Sequence, residues 1–137
     1  MPPSPPITRR KGYHHGNLRE ALVETAKRLV AERGPGGFTL VEAARLAGVS
    51  PAAPYRHFRD RDALLAELAR RGFALFEDRL RHIAETPTGN ETDFEDRFLR
   101  MGAAYLAFAR EEPGLYAAMF ATSASLSSTA PRDGTAP

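Results

Sequence analysis

Apolar residues return every three or four positions through most of this chain, in blocks bounded by glycine, proline and short polar caps. Leu18, Leu22, Ala26, Leu29 and Val30 mark a first helix. Asn17 can cap it, Glu20 three positions on completes a capping-box pattern, and Gly34-Pro35-Gly36-Gly37 stops it. Thr39 and Glu42 form a second box before a helix of about two turns holding Ala43, Ala44 and Leu46. Gly48 then suits a left-handed turn, and Ser50 caps a short third helix with Pro51 as its first residue. Asp60 opens a longer fourth helix, in which Leu64, Leu65, Leu68, Phe73, Phe76, Leu80 and Ile83 make an apolar face up to Thr86-Pro87. Thr92 with Glu95 starts a fifth, where Phe94, Phe98, Met101, Tyr105 and Phe108 fall at steps of four, three, four and three. Such a stripe reads as core. Pro113 ends that helix and starts a sixth, from Leu115 to about Ala121.

No stretch shows the period-two alternation of a strand, so the predicted fold class is all-α. A short helix, a glycine turn and another short helix make a helix-turn-helix. The chain divides into a flexible basic arm at 1–16, a three-helix head at 17–61, a partial helical body at 62–122 and a disordered Ser/Thr/Ala/Pro/Gly tail at 123–137. The last three helices carry more aromatic surface than they can cover among themselves, so some should stay exposed, with self-association or poor solubility as the consequence.

Composition narrows the function. With 137 residues, 42% hydrophobic and 26% charged, the chain can form one or two small domains but not a large enzyme core. Cysteine is absent, which excludes disulfides and cysteine-based zinc sites or nucleophiles. No carboxylate pair, nucleophile motif, metal-ligand spacing or Gly-rich phosphate loop stands out, so neither an enzyme nor a cofactor is expected. His14 and His15 lack a third ligand nearby and make a poor metal site. There is no 18-residue apolar run and no apolar signal-peptide core, which points to a soluble cytoplasmic protein with no membrane span.

Charge is more telling in halves than in sum. The net +2 splits into +6 for residues 1–61, with 11 Lys/Arg against 5 Asp/Glu, and −4 for residues 62–137, with 8 against 12. The basic half is the candidate for a polyanion such as double-stranded DNA, although a +6 surface can also be merely solubilising. The arm segment Arg9-Arg-Lys-Gly-Tyr-His-His15 could add phosphate or minor-groove contacts, or serve as a solubilising tail.

The segment from Ser50 to Arg61 holds the candidate chemistry. A helix-turn-helix puts the first turns of its second helix in the major groove. Pro51, Ala52 and Ala53 are small enough for close approach to base edges, and Arg56 is the one long donor beside them, suited to a bidentate contact with guanine. Tyr55, His57 and Arg61 can point to one side, toward sugar and phosphate, where they would position without specifying. Each also has a plainer role: Tyr55 packed in the core, His57 on a carbonyl, Arg61 solvated. Phe58 should be the buried anchor. Pro54 removes an N–H and crowds the preceding turn, which predicts a short reading helix with a distorted or 3₁₀-like first turn and a regular part from about Ala53.

Thr39-Leu-Val-Glu-Ala-Ala44, Ala47-Gly-Val-Ser50 and above all Tyr55-Arg-His-Phe-Arg-Asp-Arg-Asp-Ala-Leu-Leu65 resemble the TetR family of bacterial transcriptional regulators, well over about residues 17–68 and loosely beyond. The resemblance implies a three-helix DNA-binding head before an all-helical body that binds a small-molecule effector and forms a homodimer. It places phosphate contacts on Thr39, Tyr55, His57 and Arg61, the last usually lysine. The family commonly has Thr or a large apolar residue where Ala53 and Pro54 stand, so its base preferences do not transfer. Family members also usually continue well past residue 137, and the helices of the dimer seam would be missing here. The function implied is a repressor inserting residues 50–58 into the major groove of a two-fold symmetric operator. The alternative is a truncated remnant that folds its head but neither dimerises nor responds to a ligand.

Overall fold

The structure is a computed structural model that describes the backbone of residues 7–86 and 94–128, with side chains over 17–86 and 94–121. Five α-helices occupy it: α1 Ile7–Arg33, α2 Leu40–Leu46, α3 Arg61–Glu85, α4 Phe94–Glu111 and α5 Pro113–Ser128, with a 3₁₀ turn at Ala53–Arg56 between α2 and α3. The described residues hold no strand.

Local chemistry accounts for most of the boundaries. Thr39 caps α2 through its Oγ1, which accepts the Glu42 N–H at 3.1 Å. Asp60 does the same for α3, its Oδ1 accepting the Ala63 N–H at 2.8 Å. At the end of α2 the Gly48 N–H donates to the Arg45 carbonyl at 3.1 Å and the Val49 N–H to the Ala44 carbonyl at 3.0 Å, a Schellman closure. That closure needs Gly48 at φ +77°, where a side chain would be strained. Thr86 finishes α3 by donating its hydroxyl to the His82 carbonyl at 2.7 Å.

Three expectations change. Residues 7–16, expected as a flexible arm, have helical backbone, and α1 bends at Asn17, where φ −131° and ψ 26° leave the helical region. The basic side chains of that stretch lie outside the described residues, as does Thr92. Glu20 does not fold back as a capping-box acid: both its oxygens hold the Arg71 guanidinium of α3 at the surface. Helix α5 also runs on to Ser128, into a segment expected to be disordered. The remainder of the tail, 129–137, lies outside the described residues.

The core sits between α1, α2, the 3₁₀ turn, α3 and α5. Leu22, Val23, Ala26, Leu29 and Val30 of α1 meet Phe38, Leu40 and Ala43, with Phe58, Leu64 and Leu68 closing the other side. Helix α5 joins the same cluster through Leu115, Ala118 and Met119, so head and body share one core. The joint is tight: a Cβ on Gly114 would lie 2.2 Å from the Lys27 carbonyl oxygen, and one on Gly72 would lie 2.7 Å from the Met119 sulfur. Helix α4 enters this core through Phe108. It packs on α3 and α5 through Phe108, whose ring is 5.4 Å from Phe76, and Tyr105, whose hydroxyl meets that of Tyr116 at 2.7 Å.

The apolar stripe read on α4 is therefore core only at its C-terminal end. Phe108 is buried, whereas Phe94, Phe98, Met101 and Tyr105 are exposed. The α3 face behaves in the same way, with Leu64 and Leu68 fully covered and Phe73 exposed. The expectation of leftover apolar surface holds.

Candidate nucleic-acid interface

The second helix of the helix-turn-helix is shorter than an α-helix can be. After the Gly48 turn, the Ala53 N–H donates to the Ser50 carbonyl at 3.1 Å and the Tyr55 N–H to the Ala52 carbonyl at 3.3 Å, both i→i−3 bonds. Between them Pro54 has no N–H to give, so the chain never settles into the i→i−4 ladder at this point. Only Phe58 makes such a bond, to the Pro54 carbonyl at 2.9 Å, as the segment ends. The regular α-helical part expected from Ala53 does not form, and residues 51–57 are instead a compact turn around the 3₁₀ segment Ala53–Arg56.

Burial sorts the residues of this turn into two faces. Ala53, Pro54 and Phe58 are buried against the block of α1 and α2. Pro51, Ala52, Tyr55, Arg56 and His57 are exposed. Ala53 thus leaves the set expected to reach bases, because its methyl group fills space behind the turn that Pro54 and Phe58 also close. Tyr55 is 56% exposed, which removes the alternative of a core ring. Arg56 is exposed and takes no acidic partner among the described residues, so its donors are uncommitted.

The flanking candidates are partly engaged. Thr39 is exposed, with its hydroxyl oxygen already serving as the α2 cap. Arg61 donates to the Gly36 carbonyl at 3.4 Å and meets Asp62 at 3.4 Å, while its side chain remains 42% exposed. Thr39 could still donate its hydroxyl hydrogen, and Arg61 an outer N–H, to a phosphate oxygen.

Arg19 is a residue of this site that sequence reasoning did not find. Its guanidinium sits 4.6 Å from the centre of the Phe58 ring, donates to the His57 carbonyl at 3.3 Å and reaches the Glu67 carboxylate at 3.9 Å. Glu67 is held in turn by Arg70 at 2.8 Å and Arg71 at 3.1 Å, and Arg71 by Glu20. Hydrogen bonding from Arg70, reinforced by Arg71, lowers the Glu67 carboxyl from 4.5 to about 2, and Arg71 lowers Glu20 as well. This network ties the end of the reading turn to α1 and α3. Glu67 meets Arg70 and Arg71 at helical spacing, but the contacts that cross between elements join residues 38 to 51 positions apart, which no local spacing could have announced.

This turn, fastened from behind and open in front, belongs to a recognisable head. A family model for bacterial regulatory proteins of the tetR family matches residues 22–68. By its head, the chain belongs to the TetR family. Among similar proteins is YobS of Bacillus subtilis (strain 168), named an uncharacterized HTH-type transcriptional regulator. It is 30% identical over 103 residues, which are 75% of this chain and 51% of that protein. A solved structure of a protein of unknown function from Rhodococcus sp. RHA1 superposes with a TM-score of 0.63 at 40% identity. That match covers 79% of this chain and 54% of that one. This TetR-family chain thus spans about half the length of these relatives. Among its described residues no helix is long and apolar enough to cross a membrane, and no cluster of His, Asp and Glu could hold a metal ion.

Proposed function

We propose that this TetR-family chain is a DNA-binding transcriptional regulator, acting as a repressor, that seats residues 51–57 in the major groove of a two-fold symmetric operator. The observation that carries the reading is the two-faced turn. Pro54 and Phe58 anchor it, and it offers Arg56 to base edges with Tyr55 and His57 beside it. Pro51 and Ala52 are the small exposed residues that allow close approach. Tyr55, His57, Thr39 and Arg61 would meet sugar and phosphate, giving affinity without sequence preference. Arg56 would carry preference, through a bidentate contact to guanine.

The test is selection of bound sequences from a random double-stranded DNA pool, followed by titration of the preferred site. The expected outcome is a symmetric consensus. Arg56→Ala should relax one base position in each half-site by roughly 1–3 kcal/mol, while Tyr55→Ala should weaken all sequences alike. Binding with no consensus, falling steeply with salt for every sequence, would refute operator recognition. Uniform loss in both variants would remove Arg56 from the base-reading role.

A further inference from the structure

The reading turn cannot hold its own direction. An α-helix of several turns is stiff because every residue adds a bond to one ladder, whereas Ala53–Arg56 closes on i→i−3 bonds from Ala53, Tyr55 and His57 and then stops. Ala53, Pro54 and Phe58 fix its buried side. The carbonyl at its C-cap, on His57, has no further helical residue to accept from, and Arg19 of α1 takes it, donating at 3.3 Å. We propose that Arg19 is a positioning residue of the DNA site, a strut that holds the exposed face of the turn, Arg56 included, in one orientation, so that sequence preference depends on it.

One guanidinium makes three contacts, and together they leave the turn little freedom. Two are to consecutive residues just past Arg56: the His57 carbonyl and the Phe58 ring, whose centre lies 4.6 Å away. The third is to Glu67 of α3 at 3.9 Å. Glu67 is mostly buried and is itself held by Arg70 at 2.8 Å and Arg71 at 3.1 Å, with Arg71 fastened in turn to Glu20 of α1. Arg19 therefore stands on α1 and α3 at once, and a swing of the turn about its buried edge would carry the His57 carbonyl off it. A planar fork of donors that also stacks on a ring suits this task; an ammonium does not match it.

Positioning and direct contact leave different marks. An arginine that neutralises a phosphate adds about 0.9 to the dependence of log affinity on log salt and strengthens every sequence alike. A strut acts through Arg56 instead. Its bidentate contact needs two N–H groups aligned with one guanine edge, so a small tilt of the turn loses it, whereas phosphate contacts from Tyr55 and His57 tolerate the same tilt. Loss of Arg19 should therefore cost preference more than affinity. The inference rests on the operator reading above.

Amide hydrogen exchange and duplex titration of the full 137-residue chain test it, with Arg19→Met as the variant, because methionine keeps an unbranched apolar stem and a similar helix propensity. Without DNA, the His57 and Phe58 amides should exchange about tenfold faster, and those of Leu22 to Val30 should stay within about twofold of the parent chain. On DNA, the affinity ratio between the selected site and a scrambled duplex should fall about fivefold to tenfold, with the salt slope unchanged to within about 0.3. Arg19→Lys should lie between parent and Arg19→Met in both measurements. A salt slope smaller by about 1 means that Arg19 meets a phosphate itself. Turn amides that keep the parent rate, or a ratio that keeps the parent value, mean that the turn is held without it. Faster exchange throughout α1 means that Arg19 serves the stability of the head alone. Any of these overturns the proposal. A parent chain that selects no consensus fails the operator reading instead, and exchange at His57 and Phe58 then decides by itself whether Arg19 holds the turn.

Discussion

Phe58 and Phe98 each stand in a stretch of apolar and arginine residues, yet 4% of one and 67% of the other is open to solvent. Around Phe58 the chain supplies walls on several sides: Leu22, Leu64 and Leu68 belong to its cluster, and Arg19 lies over its ring. Around Phe98, among the described residues, the ring contact is with Phe94, stacked at 6.4 Å along the same helix. The head is a closed three-dimensional contact, whereas the first half of α4 is a single element with an uncovered side. Helical periodicity is equally clear in both, because it records which side of a helix is apolar and not whether anything lies against that side. Covering is a property of several elements at once.

The largest expected effect puts that contrast to the test. Phe58→Ala should cost about 3–5 kcal/mol, since it empties a walled site that Pro54 prevents from collapsing. Phe98→Ala should stay within about 0.5 kcal/mol in dilute protein. Urea unfolding of the two variants beside the parent chain decides the matter. Comparable losses would mean that α4 is covered within its own chain and that the contrast is wrong.

What was legible in the sequence divides along the same line. The caps Thr39 and Asp60, the turn at Gly48 and the boundary at Pro113 act between residues three or four positions apart, and each is found where its spacing set it. The anchor Phe58 was legible as an apolar break in a polar run. The proline announced a 3₁₀ start, but not that the turn would close before any α-helical part began. Glu20 shows why a local rule can be outbid: a neutral backbone N–H competes poorly with a guanidinium that offers two charge-assisted bonds from the neighbouring α3. Ala53 shows another limit, because whether a methyl group faces outward or inward depends on the packing of α1 and α2 behind it. The proposed role of Arg56 at a base edge rests on its exposure and on its having no acidic partner among the described residues, both properties of the folded surface.

A smaller effect sharpens the comparison at two glycines. Gly114→Ala places a Cβ 2.2 Å from the Lys27 carbonyl oxygen, and neither backbone can yield without moving α5 off α1. The cost should be about 1–3 kcal/mol. Gly102→Ala meets nothing within 4 Å and replaces a glycine in a helix interior, so in dilute protein it should stabilise by about 0.5–1 kcal/mol. Opposite signs in thermal melts are the expected outcome; the same sign for both would mean that one of the two surroundings has been misjudged.

The smallest effect concerns the charges that fasten the head. Glu67 is ionised far below the ordinary carboxylate range because Arg70, and behind it Arg71, hold its oxygens, which lowers it from 4.5 to about 2. A carboxyl lowered in the folded state stabilises it fully above the unfolded value and gives that stability up as pH falls toward the folded one. The Glu67 contribution should therefore be constant above pH 4.5 and drain away between 4.5 and 2. With solvent screening over the exposed Arg70, it should be on the order of 1 kcal/mol. Glu67→Gln keeps the shape and removes the titration, so its deficit against the parent chain should be full at neutral pH and shrink through that window. Urea midpoints along a pH series measure it directly. A deficit that persists unchanged to pH 2 would show that Glu67 matters for its packing and hydrogen bonds rather than its charge, and that Arg19 is held to α3 by shape alone.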